Sequence, residues 1–400
     1  MTQLLEAPRK KKVVPFRQRK NYWLSIGKNG FWIFFWLVLV DIGINVLFPL
    51  PQDIDRSPGM LAQYFDYGRS IEGKLNRMVG QDVESSALIV DSGWIDPNSW
   101  KDLPTRPQAG PQAGPQADDN LLLVNYGMSF SDYASQAVAE IDGKITVRSI
   151  GGPSAPPNHS FAAFKADAAG RKNADVVVIG VLASSVQRMS SMSGTDWTYE
   201  FPNPYTYPYY SVDESGELVA VEPAISTAKD FVESFNRKDG DWQRLQGQLA
   251  QYDNVFDPFV FYTNWTDRSA IVRLIRRGWA ERARSLSEQD LFDPQTGFNP
   301  EASEIITLKA LLAEFVSEVR AADQVPVILL LNDRGYGTSL YDVLSEQVES
   351  LDALVVSTHA IAPADDPKNF IADGHFTDEA NHRIAEEIQR LIRSEKLAAR

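Results

Sequence analysis

The chain has 400 residues, 44% hydrophobic and 23% charged, enough apolar material for one large α/β domain with additions or for two to three smaller domains. It has no cysteine, which excludes disulfides, thiolate nucleophiles and thiolate metal sites, and only four histidines, His159, His359, His375 and His382. Residues 1–30 carry +7 and the remainder −21, and so acidic a body excludes nucleic acid as the main partner, because phosphate binding needs a basic face on the folded domain.

The basic tail, residues 1–30, leads into Phe31 to Leu50, which reads FWIFFWLVLVDIGINVLFPL. That is about the 20 residues a membrane-spanning helix needs. Arg9, Lys10, Lys11, Lys12, Arg17, Arg19 and Lys20 precede it, so the amino terminus is expected in the cytoplasm and the body outside, periplasmic or at the cell surface. No small-x-small cleavage site follows before Pro49 and Pro51, so residues 31–50 are expected to stay as a single-pass anchor. Asp41 and Asn45 lie four apart inside the span, on one helical face. Polar groups at this depth are costly. They predict either a contact with a second membrane protein or a position near the outer interface.

Residues 51–120 form the expected connector. Met60 to Val79 has helical spacing interrupted by Gly68, and Pro107 to Ala117 reads PQAGPQAGPQA, an exposed flexible insert with nothing to pack a core.

The body, residues 121–400, opens on LLLVNYGMSFSDY, Leu121 to Tyr133. A short buried strand, a glycine turn, a serine and a helix start follow one another. This layout holds a hydroxyl at the carboxyl end of a strand beside the free N–H groups of a helix. Ser129 is the favoured nucleophile; Ser129 or Ser131 equally serves as a helix cap. Ile145 to Ile150 is a second strand, ending in Gly151-Gly152-Pro153, with a helix from Ser160. Asp175 to Leu182 is a third, unbroken in its apolar run as a strand covered on both faces is.

Trp197 to Tyr210 (WTYEFPNPYTYPYY) fills a secondary core or offers a stacking surface for sugar rings. Ala224 to Leu249 and Ser269 to Leu286 read as helices. The second places Ile271, Leu274, Ile275 and Trp279 on one face and Arg273, Arg276 and Arg277 on the other, which predicts a solvated arginine face. Ala302 to Ala322 is helical and leads into a fourth strand, Val325 to Leu331, and the loop NDRGYGTS. Val343 to Leu351 is helical, and Ala353 to Ser357 is a fifth strand. Thr377 caps a final helix that packs through Ile384, Ile388 and Leu391. Strands and helices in alternation predict a parallel sheet.

A serine after the first strand and Asp-x-His before the last helix complete the pattern. The chain resembles the SGNH (GDSL-like) hydrolases, and looks most similar to their alginate-type polysaccharide O-acetyltransferase branch. The resemblance rests on Gly127-Met128-Ser129-Phe130-Ser131 and Asp373-Gly374-His375, and covers roughly residues 121–393, with the helical and aromatic stretch at about 195–300 as an insertion. It implies a three-layer, flavodoxin-like α/β/α fold with a five-stranded parallel sheet. It also implies a triad of Ser129, His375 and Asp373. A serine hydroxyl needs an adjacent base at neutral pH. His375 would take its proton, while Asp373 fixes the tautomer. Asp373 and His375 are expected on extended backbone, where i and i+2 point the same way.

The resemblance further implies an oxyanion hole of the Ser129 N–H, Gly152 (or Gly151), and an asparagine after the third strand. Here Ser184 stands at that position, and Asn158 is a candidate substitute from the preceding loop. Asn158, Tyr207 and Tyr209 are the expected substrate contacts. No metal cluster, phosphate loop or dinucleotide fingerprint is present, so no cofactor is expected. The implied function is a membrane-anchored serine esterase, or an O-acyl (acetyl) transferase acting on a cell-surface polysaccharide, with an acylated glycan or small acyl ester as partner. The alternative is a catalytically silent scaffold that binds glycan or protein.

Overall fold

A computed structural model describes residues 16–50, 59–87, 90, 92–105 and 120–398. The PQAGPQAGPQA run and residues 1–15 of the basic tail lie outside the described residues.

Five strands make one parallel sheet: β1 (Leu121–Gly127), β2 (Ile145–Gly151), β3 (Val176–Leu182), β4 (Val325–Leu331) and β5 (Leu354–Ser357). Their order is β2-β1-β3-β4-β5, with every neighbour parallel. This doubly wound order reverses direction between β1 and β3, so the loops after them diverge and leave a crevice at their carboxyl ends. The strands are nearly continuous runs of Val, Ile and Leu because helices cover both faces.

The helices that position the site begin with α1 (Phe16–Leu47), α2 (Met60–Asp66), α3 (Ile71–Met78), α4 (Ser129–Ile141) and α5 (Pro157–Ala166). They continue with α6 (Ala228–Arg237), α7 (Gly240–Tyr252), α8 (Ala270–Leu291), α9 (Ser303–Ala321), α10 (Ser339–Ser350) and α11 (Asp378–Ala398). One face of the sheet is covered by α4 and α11 through Ala134, Val138, Ile384 and Ile388. The other is covered by α5, α9 and α10 through Phe161, Phe164, Leu308, Phe315 and Leu344. Thr377 caps α11 as expected, its hydroxyl accepting the Ala380 N–H at 3.2 Å.

The helix read from Ala224 to Leu249 is two helices. Lys238 adopts a left-handed φ of 51° and Asp239 caps α7, so the backbone turns between them. Gly68 likewise separates α2 from α3. A Cβ there would lie 2.0 Å from the Arg273 carbonyl oxygen, so only glycine lets α8 approach this closely.

Residues 59–100 do more than connect. Ile71, Leu75 and Trp94 share a second core with Tyr205, Tyr207, Phe231, Trp242 and Phe261 of the insertion. Arg148 on β2 ties this segment to the sheet: it pairs with Asp167 at 2.7 Å and donates to the Trp100 carbonyl at 3.1 Å.

α8 reverses the expected amphipathicity. Arg273 and Arg276 are buried, at 1% and 0% exposure, whereas Ile275 and Trp279 are 58% and 52% exposed. Arg276 holds Asp267 at 2.5 Å and donates to the Phe259 carbonyl at 2.7 Å. A paired guanidinium can be buried, because its donors are met.

α1 contains the stretch Lys28–Leu47, long and apolar enough to cross a membrane, with none of it buried against the rest of the chain. Asp41 and Asn45 have partners in the same chain. The Asp41 carboxylate accepts from the Ser269 hydroxyl and the Ile271 N–H, both at 2.9 Å, and Asn45 Oδ1 accepts from Arg273 at 2.9 Å. The partner of this polar face is the start of α8 in the same chain, where free N–H groups and the helix dipole favour a carboxylate.

Candidate active site

β1 ends at Gly127, the chain turns at Met128, and α4 begins at Ser129, in the strand–turn–helix arrangement read from the sequence. The two serines part company here. Ser131 is buried; its hydroxyl donates to the Met128 carbonyl at 2.9 Å and accepts the Met128 N–H at 3.2 Å. Cβ atoms on Gly127 or Gly180 would collide with it, at 2.0 Å from its oxygen and 2.3 Å from its own Cβ. Ser131 thus builds the turn, and Ser129 is left half-buried at the mouth of the crevice.

The loop before α11 crosses to meet it. Ser129 Oγ lies 2.7 Å from His375 Nε2, and His375 Nδ1 lies 3.1 Å from Asp373 Oδ1. A carboxylate only accepts, so Nδ1 carries the hydrogen and Nε2 is free to accept the serine proton. Asp373 and His375 do not sit on extended backbone. Gly374 has a φ of 96°, a conformation glycine adopts freely, and Gly374 N–H returns to the Ile371 carbonyl at 3.1 Å. The carboxylate therefore accepts both the His375 backbone N–H, at 3.1 Å, and the ring N–H. These two bonds, the backbone one foremost, hold the Asp373 carboxyl below its usual range. Phe130 stacks on the His375 ring at 4.8 Å and Tyr133 flanks it at 5.5 Å, fixing its plane.

Ser129 stands between two hollows. The larger, about 520 Å³, is lined by Tyr133, Ser184, Arg188, Asp333, Arg334 and His375. The smaller, about 310 Å³, holds Gly152 beside Ser129, Ser149 and Asp132. A hollow of about 820 Å³ between the Gly297 hairpin and α10 carries none of these groups.

Ser184 faces the cleft, but its backbone N–H already donates to Asp333 Oδ1 at 3.1 Å. Burial pushes the Asp333 carboxyl up. The expected substrate contacts are not brought to the cleft. Asn158 is buried, its amide donating to the Ser191 and Pro208 carbonyls at 3.4 and 3.3 Å. Tyr207 is buried with its hydroxyl 3.3 Å from the Ser193 carbonyl, and Tyr209 packs on Tyr252 at 5.2 Å. Rings of this size fill the insertion's core before they serve a ligand. Burial holds His159 down to about 4, and it donates to the Gly93 carbonyl at 2.7 Å. His359 stacks on Tyr341 at 4.4 Å and His382 pairs with Glu140 at 3.2 Å, both away from the triad residues.

Three cleft residues escaped the sequence reading: Arg188, Asp333 and Arg334. Arg188 follows β3, donates to the Ser154 carbonyl at 2.7 Å, and keeps a buried Nε without a partner among the described residues. Asp333 and Arg334 follow β4. The rule that ligands gather at the carboxyl ends of strands flanking the reversal was the available signal for Arg188; Asp333 and Arg334 follow β4, outside the reversal, and no local signal marks them.

Compared with protein-family models and with curated proteins, the chain matches none.

Proposed function

We propose that the chain is a serine acyl-ester enzyme of the SGNH type, anchored by α1 with its amino terminus in the cytoplasm and its body outside. Ser129 attacks an acyl ester and His375 takes its proton. The Ser129 N–H and Gly152 receive the developing oxyanion. Water or a glycan hydroxyl then resolves the acyl-enzyme. The observation that carries this reading is the continuous Ser129–His375–Asp373 hydrogen-bond chain at the carboxyl end of the sheet. The acidic, anchored body fits an acylated cell-surface polysaccharide as substrate, and the motif of the alginate-acetylating type favours transfer.

A fluorophosphonate probe tests the assignment. It is expected to label the wild-type chain at Ser129, and Ser129→Ala and His375→Ala are expected to abolish labelling. Asp373→Asn should retain a part, because its carboxylate is 62% exposed and water screens what it contributes. Unlabelled wild type would favour the second reading, a silent glycan- or protein-binding scaffold. That reading has one observation behind it: the Asp333 carboxylate occupies the Ser184 N–H where the resembled family presents an asparagine donor. With labelling secured, partition of an acetyl group between water and polysaccharide hydroxyls separates esterase from transferase.

A further inference from the structure

Three features meet where α1 joins the body: a depth mismatch, an inside-out helix and an exposed tryptophan. The apolar stretch Lys28–Leu47 has 20 residues, about 30 Å of helix and the thickness of a bilayer's hydrocarbon. Asp41, bonded to the start of α8, lies six residues before the end of that stretch, about 9 Å back along the axis. If the whole stretch is in hydrocarbon, the start of α8 lies below the outer boundary of the bilayer core. Polar atoms can be there because they are paired: Asp41 with the α8 N–H group and Ser269, Asn45 with Arg273.

The exposed surface of α8 carries apolar side chains. The helix buries Arg273 and Arg276 and presents Ile275 and Trp279, one turn apart, outward. Trp265, at the foot of α8, is 82% exposed and lines a hollow of about 1050 Å³ with Val46 and Leu50 of the anchor. Arg268, exposed in the same hollow, supplies a cation at headgroup level. Phe65 of α2 stacks on Phe48 of the anchor at 5.9 Å, so exposed Leu61 lies beside the same exit point. Tryptophan with an arginine is the composition of an interfacial belt. An apolar face turned outward beside an anchor needs a cover of that kind.

We infer that the face carrying Trp265, Ile275 and Trp279 is seated in the outer headgroup layer of the membrane, so that the body rests on the bilayer instead of hanging from a tether. The inference rests on the reading of α1 as a retained membrane anchor.

The chain's lack of cysteine makes the test direct. The full chain, carrying a single nitroxide-labelled cysteine, is reconstituted into phosphatidylcholine–phosphatidylglycerol vesicles. Three positions are compared: Leu37→Cys within α1, Trp265→Cys, and Ser215→Cys in an exposed turn far along the chain. Collision with oxygen, which partitions into lipid, is measured against collision with a water-soluble nickel chelate. The expected result is a lipid signature at 37 and at 265, with nickel accessibility at 265 several-fold below that at 215. A lipid signature at 37 with an aqueous one at 265 overturns the inference and leaves the anchor standing. Shielding of 265 from both agents means protein covers it and overturns the lipid assignment. An aqueous signature at 37 removes the anchor, and the inference with it.

Discussion

At the scale of single residues, the cleft is shaped by a carboxylate where a neutral donor is expected. Asp333 accepts the Ser184 N–H and sets a negative group across the cleft from Ser129. A developing oxyanion there is met by a charge of its own sign unless Asp333 holds a proton, which its burial favours. Asp333→Asn keeps the Oδ1 acceptor for Ser184 and turns an N–H toward the cleft. Losing one oxyanion donor costs about 10²–10³ in rate, so adding an imperfectly placed one is expected to raise kcat/KM on a small acetyl ester about tenfold at neutral pH. A fall in rate would show that the carboxylate itself is needed. The hydrogen-bonded group of Ser129, His375 and Asp373 was legible because each lies in a short motif at an element end, Gly127-Met128-Ser129 and Asp373-Gly374-His375. Asp333 and Arg188 were not, since nothing local tells which loop side chain turns inward.

At the scale of elements, buried titratable groups move stability in opposite directions with pH: an aspartate pair in the insertion and His159 on α5. Asp196, on the short helix Gly194–Trp197, and Asp253, just after α7, are both buried and hydrogen-bonded to each other. Burial pushes Asp253 up to about 7 and raises Asp196 as well, so the pair shares a proton in the fold. The unfolded carboxyls lose theirs near 3.8. Stability from this pair is therefore complete below pH 3.8 and is lost as pH rises through about 7. His159 runs the other way: the unfolded ring protonates below 6.5 while the folded one stays neutral to about 4, so its stability is lost as pH falls across that range. Asp196→Asn keeps the shape of the protonated acid and removes the shared proton. Relative to wild type, its melting temperature is expected to rise with pH from about 4 and to keep rising past 7, because the group removed, the Asp196 carboxyl, is held well above its ordinary range by burial. Thermal melts at four pH values across that range check it; a difference independent of pH would mean the pair shares no proton.

At the scale of the whole molecule, α1, the insertion and residues 59–100 form one continuous unit beside the sheet. Asp41 reaches α8, α8 reaches Gly68, and Arg148 reaches Trp100. The basic residues before α1 predict that this unit and the cleft lie outside the cell. A membrane-impermeant maleimide applied to intact, wall-stripped cells is expected to label Ser215→Cys before lysis. Labelling only after lysis would reverse the orientation.

By itself the sequence determined what depends on short-range pattern: five apolar strands, the helices between them, the long apolar helix near the amino terminus, and a serine and an Asp-x-His motif at element ends. Those follow from period, length and capping, which act over a few residues. Only the tertiary structure decided which face of α8 is inside, since a guanidinium is buried once Asp267 and the Phe259 carbonyl meet it, and neither is near it in the sequence pattern. It likewise decided that Tyr207 and Asn158 belong to a core and that Asp41 is satisfied within its own chain. Burial and pairing are properties of what packs against a residue, and those partners lie from 9 residues to more than 200 away in the chain.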